Sequence, residues 1–206
     1  HRAIAQLEPI VLAQLGNVLR SHTMAIDETP VKAGNKKKGK LHQGSFLPLY
    51  GDQDEMVFNY STSKSRVAIE SVLSGFSGKV LLTDGNSAYA LYAKKIEELE
   101  HALCWSHNRR YFERAFEHEP VEAKVALDLI AELYHEDAQI DKSWSSTKQI
   151  EHRANRCKPI ADRFFEWCHK QRQRADLTPS NKLMKALNYA CLRPSDLDKI
   201  GKGIVI

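Results

Sequence analysis

The chain has 206 residues, of which 42% are hydrophobic and 27% are charged, and its formal net charge is +4. This composition predicts one large or two small globular domains and excludes an intrinsically disordered chain. No apolar run approaches the roughly 20 residues that a membrane span needs, so we expect no membrane partner, while the mild positive charge permits a nucleic acid partner.

The first element is an amphipathic helix over residues 3–20, in which apolar side chains recur at spacings of three and four. Pro9 lies inside this pattern and is expected to kink the helix or to mark a break in it. Because the helix begins at the first residue without a capping side chain, we expect the chain to be a fragment of a longer protein.

A short strand follows at residues 22–27, and Thr29 and Pro30 are expected to end it. Its alternation places Asp27 on the face opposite Ile26. Residues 34–40 then form a predicted hairpin turn that is rich in lysine. The lysines are either a solvated tip or a contact with the DNA backbone, which needs no sequence selectivity; they are Lys36, Lys37, Lys38 and Lys40.

Two further strands, at residues 42–50 and 56–60, are joined by a tight turn and predict an antiparallel hairpin. The turn contains Asp52 and Asp54, whose presence is explained by turn chemistry alone. We therefore expect no catalytic role for these two carboxylates.

Two helix–strand pairs come next, with helices at 61–76 and 88–99 and strands at 79–83 and 101–105. The strand at 79–83 is apolar throughout, which is typical of a strand covered on both faces, and it ends at Asp84. Three strands in a meander followed by helix, strand, helix and strand is the element order of the ribonuclease H-like α/β fold. In that fold the first and fourth strands are neighbours in a mixed sheet.

The character of the sequence changes from about residue 120, beyond which apolar residues recur only at helical spacing. We predict four parts. These are an N-terminal helix over 1–20, a ribonuclease H-like core over 21–118, an all-helical insertion over 119–195 and the start of a returning core segment over 196–206.

Asp27 and Asp84 each end an apolar strand, and such carboxylates can hold the two divalent ions used in phosphoryl transfer. Oxygen ligands of this kind suit Mg²⁺, with Mn²⁺ as a substitute. The alternative for either aspartate alone is a turn or cap. Glu28 follows Asp27 directly, but successive side chains of a strand point to opposite faces, so it cannot easily share the metal of Asp27 while the strand stays extended.

Cys104 and His107 have a C-x-x-H spacing that invites a zinc interpretation, but zinc needs two more ligands and no recognisable finger spacing supplies them. The cysteines as a group follow no disulfide pattern, and the amino terminus has no signal-peptide pattern. Both observations predict a reduced protein in the cytoplasm.

Four motifs follow one another along the chain: Asp27–Val31, Gly39–Gly44, Asp84–Tyr89 and Cys104–Phe112. In this order they resemble the transposases of the insertion-sequence 66 family. The similarity runs along about residues 1–200, and the four motifs together make it specific.

This resemblance implies a DDE-type catalytic domain with a ribonuclease H-like core, in which Asp27 and Asp84 are the first two acidic residues of the triad and Mg²⁺ ligands. It implies a glutamate as the third acid, beyond a segment like the end of this chain, so we expect that carboxylate to be absent here. His107, Arg109 and Arg110 could orient DNA phosphates, which arginine binds with two hydrogen bonds, or could be plain helix-surface charge.

Three functions follow from these observations. The first is a catalytic-domain fragment of a transposase that cleaves and joins DNA at element ends, within an oligomer that holds transposon ends and target. Alone, such a fragment is expected to have little nuclease activity. The second is an inactive, truncated or decayed transposase that acts only in DNA binding or assembly. The third is another ribonuclease H-like nuclease, which the fold alone does not exclude.

Overall fold

The computed structural model describes residues 2–34, 41–63, 65–141 and 143–192. The chain forms two compact units, His1–His101 and Ala102–Ile206. The first is a mixed α/β unit whose sheet is mostly antiparallel, and the described elements of the second are almost all helical. The four-part division predicted from the sequence stays a prediction, and its last part, 196–206, lies outside the described residues. Within the described ranges, no helix is long and apolar enough to cross a membrane.

Helix α1 spans Arg2–Leu19 and continues through Pro9, so the predicted break does not occur. Its C-terminal end joins the core of the first unit, where Val18 is completely buried. The apolar side chains farther upstream are exposed: Leu7, Ile10, Val11 and Leu12. The predicted apolar stripe is therefore covered along part of its length in this unit.

Strands β1 (Thr23–Ile26) and β2 (Thr29–Gly34) both pair antiparallel with β3 (Leu41–Tyr50). The register does not shift between them, because Ile26 lies opposite Leu49 and Thr29 lies opposite Phe46. The two short strands therefore follow one line along β3, and the interruption between them consists of Asp27 and Glu28.

The prediction that Thr29 and Pro30 end the strand is wrong, because both residues belong to β2. Proline lacks an N–H donor, so a strand accepts it best at a position where its nitrogen faces no partner strand. Among the described strands, β2 pairs with β3 alone, so the missing donor at Pro30 leaves no described ladder incomplete. Gly34 lies opposite Leu41, as expected for a hairpin, and the connection between them is outside the described residues.

Strand β4 (Met56–Ser61) pairs antiparallel with β3, which confirms the predicted hairpin. The ring of Tyr60 lies over Gly44, where an added Cβ would be 2.5 Å from the tyrosine oxygen, so this position excludes any larger residue unless the ring moves. The same hydroxyl is 2.9 Å from Nε2 of His42. Glycine at position 44, the last residue of the motif Gly39–Gly44, therefore leaves room for the ring of Tyr60.

Strand β5 (Val80–Thr83) pairs parallel with β1, and β6 (Glu100–Leu103) follows β5 at the edge of the sheet. The predicted adjacency of the first strand and the strand at 79–83 is therefore confirmed. The order along the sheet is β2-β3-β1-β5-β6, with β4 on the other side of β3.

Helices α2 (Arg66–Val72) and α3 (Ser87–Ala93) begin at the caps Ser65 and Asn86, and both are shorter than predicted. The segment assigned to α2 loses its first residues because β4 extends through Ser61. The core of the first unit combines side chains from α1, α2 and α3 with those of the strands. Its fully buried members include Met24, Leu49, Ile69, Leu73, Leu81 and Tyr89.

The described part of the second unit contains five α-helices: α4 (Trp105–Phe116), α5 (Pro120–Asp137), α6 (Ser146–His152), α7 (Lys158–Arg172) and α8 (Lys182–Leu192). A π-helical turn at Arg153–Cys157 joins α6 to α7. Pro159 does not interrupt the helix as expected, because it lies in the first turn of α7, where the backbone N–H has no intrahelical partner.

Aromatic rings and buried thiols fill the core of the second unit. Phe164 packs against Trp105 and Phe112, with ring centroids 5.2 and 5.7 Å away. The guanidinium of Arg153 is also largely buried and donates to the carboxylate of Asp137 over 2.7 Å. This core therefore combines apolar packing with one enclosed ion pair.

Candidate active site

Asp27 and Asp84 follow directly after two neighbouring parallel strands. Thr23 of β1 pairs with Val80 of β5, and Ala25 pairs with Leu82. The same register, continued to the strand ends, puts Asp27 beside Asp84. Adjacent strands lie about 4.8 Å apart, so this register would make the two half-buried aspartates neighbours at one end of the sheet.

Each aspartate is fixed by backbone hydrogen bonds near its strand end. Oδ1 of Asp27 accepts the N–H of Glu28 over 2.7 Å, and the N–H of Asp27 donates to the carbonyl of Pro48 over 3.3 Å. Oδ1 of Asp84 accepts the N–H of Asn86 over 2.9 Å. Each aspartate therefore also makes a local turn contact, which was the alternative to a role in a metal site. The N-cap of α3 is Asn86 and not Asp84.

Glu28 extends toward α3. Its Oε1 accepts hydrogen bonds from the hydroxyl of Tyr89 over 3.2 Å and from Nδ2 of Asn86 over 3.4 Å. Burial raises the pKa of Tyr89, and the negative charge of Glu28 raises it further, so the phenol is a protonated donor at neutral pH. From the sequence, Glu28 was not expected to share the metal of Asp27. No pattern in the sequence indicated that its carboxylate contacts two residues of the motif Asp84–Tyr89.

A second buried polar contact lies at the end of β5. Oγ1 of Thr83 is 2.8 Å from Nε2 of His101 and donates to the carbonyl of Asp84 over 2.6 Å. Both side chains are buried, so this contact fixes the backbone from which the Asp84 carboxylate projects. The sequence contained one signal for it, a histidine inside the short apolar strand β6.

Cys104 and His107 belong to the second unit, at the start of α4. Burial would raise the pKa of the Cys104 thiol, but hydrogen bonds from His107 and from the backbone of α4 outweigh it and lower the pKa. His107 is half-buried, whereas Arg109 and Arg110 are exposed. Arg109 pairs with Glu113 over 3.1 Å on the helix surface.

The other predicted DNA contacts, Lys36, Lys37, Lys38 and Lys40, lie outside the described residues. They stay predictions, as do the roles proposed for His107, Arg109 and Arg110.

The described ranges contain no group of three or more His, Cys, Asp or Glu side chains that could hold a metal ion. Cys104 and His107 therefore gain no further described ligands for zinc. At the strand ends the donor set is the pair Asp27 and Asp84, whose carboxylate oxygens are the ligands that Mg²⁺ prefers. The pair fits a divalent ion that also takes ligands from water, substrate oxygens or a further acid.

Comparison with known proteins supplies a family. A comparison with curated proteins gives no match. A family model described as the transposase IS66 family matches residues 1–199, which is nearly the whole chain. All four sequence motifs lie inside the matched range. The chain therefore belongs to the IS66 family of transposases, the proteins that move insertion sequences by DNA transposition.

Proposed function

We propose that this chain carries two acidic residues of a DDE-type transposase active site, Asp27 and Asp84, and that they serve DNA cleavage and joining by two-metal phosphoryl transfer. One observation carries the proposal: the parallel register of β1 and β5, which would put Asp27 beside Asp84 if it were extended by two residues. Membership of the family supports DNA as the substrate, and the register of the two strands supports the choice of these two residues.

Asp27 and Asp84 would hold Mg²⁺, for which Mn²⁺ is expected to substitute. When bound, two divalent ions activate the attacking hydroxyl or water and stabilise the leaving oxygen. The chain itself must hold two like charges side by side, which repel each other. The N–H groups that donate to each carboxylate, from Glu28 and Asn86, offset part of that repulsion.

We propose a ribonuclease H-like core for the first unit. Its support is the antiparallel pairing of β1, β3 and β4, followed by a helix and by a parallel strand next to β1. The extra strand β2 is a continuation of β1 along β3 and does not alter this order.

We propose DNA contacts at the start of α4. Arg110 is exposed, and Arg109 forms an exposed ion pair with Glu113, which is weak enough to exchange for a phosphate. We propose that His107 orients the same DNA backbone. The lysines of the β2–β3 connection are proposed as sequence-independent phosphate contacts, and an oligomer on paired transposon ends is the expected assembly.

A transposition assay tests this function, with the transposase acting on the ends of its own element. Asp27→Asn and Asp84→Asn keep the size of the side chain and remove its charge. We expect each to lower transposition by at least about a hundredfold, because charge stabilisation in the transition state is lost. The matched control is Asp128→Asn on the exposed face of α5, which should transpose normally. Normal transposition by Asp84→Asn would contradict the proposal.

A further inference from the structure

Glu28 and Asp27 are consecutive, but they serve different faces of the sheet. The register of β1 and β2 along β3 is unbroken, so Glu28 lies opposite Leu47, whose side chain is in the core. Side chains opposite each other in an antiparallel pair share a face. Glu28 therefore lies on the side of the sheet that α3 covers, and Asp27 lies on the other side.

A buried donor holds Glu28 on that side. Tyr89 is completely buried in the core of the first unit, and its hydroxyl donates to Oε1 of Glu28 over 3.2 Å. A carboxylate that accepts a hydrogen bond from a buried, protonated phenol has a fixed orientation, because losing the contact would leave a buried polar group unpaired.

Asn86 connects this contact to the second strand end. Its N–H donates to Oδ1 of Asp84, and its Nδ2 donates to Oε1 of Glu28. Its own Oδ1 accepts the N–H of Ala88 over 3.0 Å and caps α3. The N–H of Glu28 donates to Asp27. Glu28 and Asn86 therefore connect Asp27 to Asp84 through three hydrogen bonds.

We propose that Glu28 is a positioning residue, which ties the end of β1 to the end of β5 through Tyr89 and Asn86 and so fixes the two aspartates relative to each other. This inference rests on the proposed function, because the purpose of the arrangement is to keep Asp27 and Asp84 in register for divalent ions. Glu28 acts from behind the site and is not itself a ligand. Partners that orient ligands in this way typically contribute about ten- to a hundredfold to metal affinity.

Two tyrosines of α3 provide a matched test. Tyr89→Phe removes only the hydroxyl that reaches Glu28, whereas Tyr92→Phe removes a buried hydroxyl that donates to the carbonyl of Leu73 over 3.1 Å. Mn²⁺ affinity of the full 206-residue chain is measured by isothermal titration calorimetry, with thermal unfolding as the control for folding. We expect about tenfold weaker Mn²⁺ binding for Tyr89→Phe and wild-type binding for Tyr92→Phe. Equal Mn²⁺ affinities for both variants would overturn the inference.

Substitutions of Glu28 give a second test that does not depend on Tyr89. Glu28→Gln and Glu28→Ala both remove the negative charge, but only the glutamine keeps an oxygen that accepts from Tyr89. We expect Glu28→Gln to bind Mn²⁺ more tightly than Glu28→Ala. Equal affinities would show that the acceptor has no positioning role, and a loss in Glu28→Gln as complete as in Asp27→Asn would make Glu28 a ligand. Either result overturns the inference.

Asp84→Asn separates this inference from the function on which it rests. If Asp84→Asn loses Mn²⁺ binding while Tyr89→Phe keeps it, the positioning role of Glu28 is wrong and the proposed site stands. If wild-type protein binds no Mn²⁺, or Asp84→Asn binds it equally well, the proposed site is wrong and the inference falls with it.

Discussion

In the first unit, two half-buried aspartates, Asp27 and Asp84, follow the neighbouring strands β1 and β5, whereas in the second unit α4 and α7 bury aromatic rings against each other. The first arrangement places like charges side by side, which costs stability unless hydrogen bonds or cations compensate. The second removes apolar surface from water, the main source of folding stability. We therefore expect variants at the strand ends to change the affinity for metal ions and variants in the helical core to change the free energy of unfolding.

The largest effect on stability is expected from Phe164→Ala. This ring is buried and contacts the rings of Trp105 and Phe112, so its loss leaves a cavity. We expect the free energy of unfolding of the second unit to fall by about 3–5 kcal/mol, measured by urea denaturation. Mn²⁺ affinity below the unfolding transition should not change. The control Phe116→Ala removes an exposed ring of α4 and should cost little.

A smaller loss is expected when Asp137→Ala leaves Arg153 without its carboxylate. The two side chains are 7% and 16% exposed, and their charged groups are 2.7 Å apart, so solvent screens them little. Asp137→Ala removes a charge and a hydrogen-bond acceptor that offset the cost of burying the guanidinium of Arg153, and we expect a loss of about 3 kcal/mol in the free energy of unfolding. The exposed pair Lys124–Asp128 offers the control, since Asp128→Ala should change stability by less than about 0.5 kcal/mol. Similar losses for both variants would show that burial does not govern the Asp137 pair.

Arg110→Ala tests whether an exposed residue of α4 affects DNA binding without affecting stability. An exposed arginine contributes little to folding, so we expect unchanged thermal unfolding. If Arg110 contacts a phosphate, the negative slope of log affinity for duplex DNA against log salt concentration should be smaller in magnitude by about one for Arg110→Ala than for wild type. Fluorescence anisotropy over a salt series measures this slope. Lys124→Ala, on α5, is the control, and an unchanged slope for Arg110→Ala would make it plain surface charge.

The smallest effect concerns pH. A hydrogen bond from Arg156 lowers the pKa of Glu136 in the folded protein below its ordinary value of 4.5. A depressed carboxyl pKa adds stability above the unfolded pKa, and that stability is lost as pH falls through the folded pKa. We expect Glu136→Gln to have a lower melting temperature than wild type at pH 7, and we expect this difference to shrink progressively as the pH is lowered below 4.5. A difference in melting temperature that does not shrink with falling pH would mean that the ion pair is not its cause.

The main strands and their order could be predicted from the sequence because apolar runs and turn residues are local signals. The apolar run that ends at Asp84 indicated a buried strand, and its place next to the strand of Asp27 followed from the element order. Strand β2 was missed because Pro30 lacks an N–H donor and commonly ends a strand, and the pairing with β3 overrides that preference. Tertiary contacts, not local sequence, decide such positions.

The candidate site was predictable in its two aspartates but not in the residues around them. Glu28 and Tyr89 are 61 positions apart in the chain, and no local pattern indicates that they form a hydrogen bond. The role of His101 depends on the same kind of long-range contact, with Thr83. Spacing arguments place a side chain on a face, but they do not identify which distant donor it meets.

Anomalous diffraction from crystals of this chain soaked in Mn²⁺ would test directly whether Asp27 and Asp84 together bind divalent ions. We expect an anomalous peak within ligand distance of both carboxylates, and we expect it to be lost in Asp84→Asn crystals. Saturating Mn²⁺ with no peak at the two strand ends, or a peak that persists in Asp84→Asn crystals, would mean that this pair does not hold the ions.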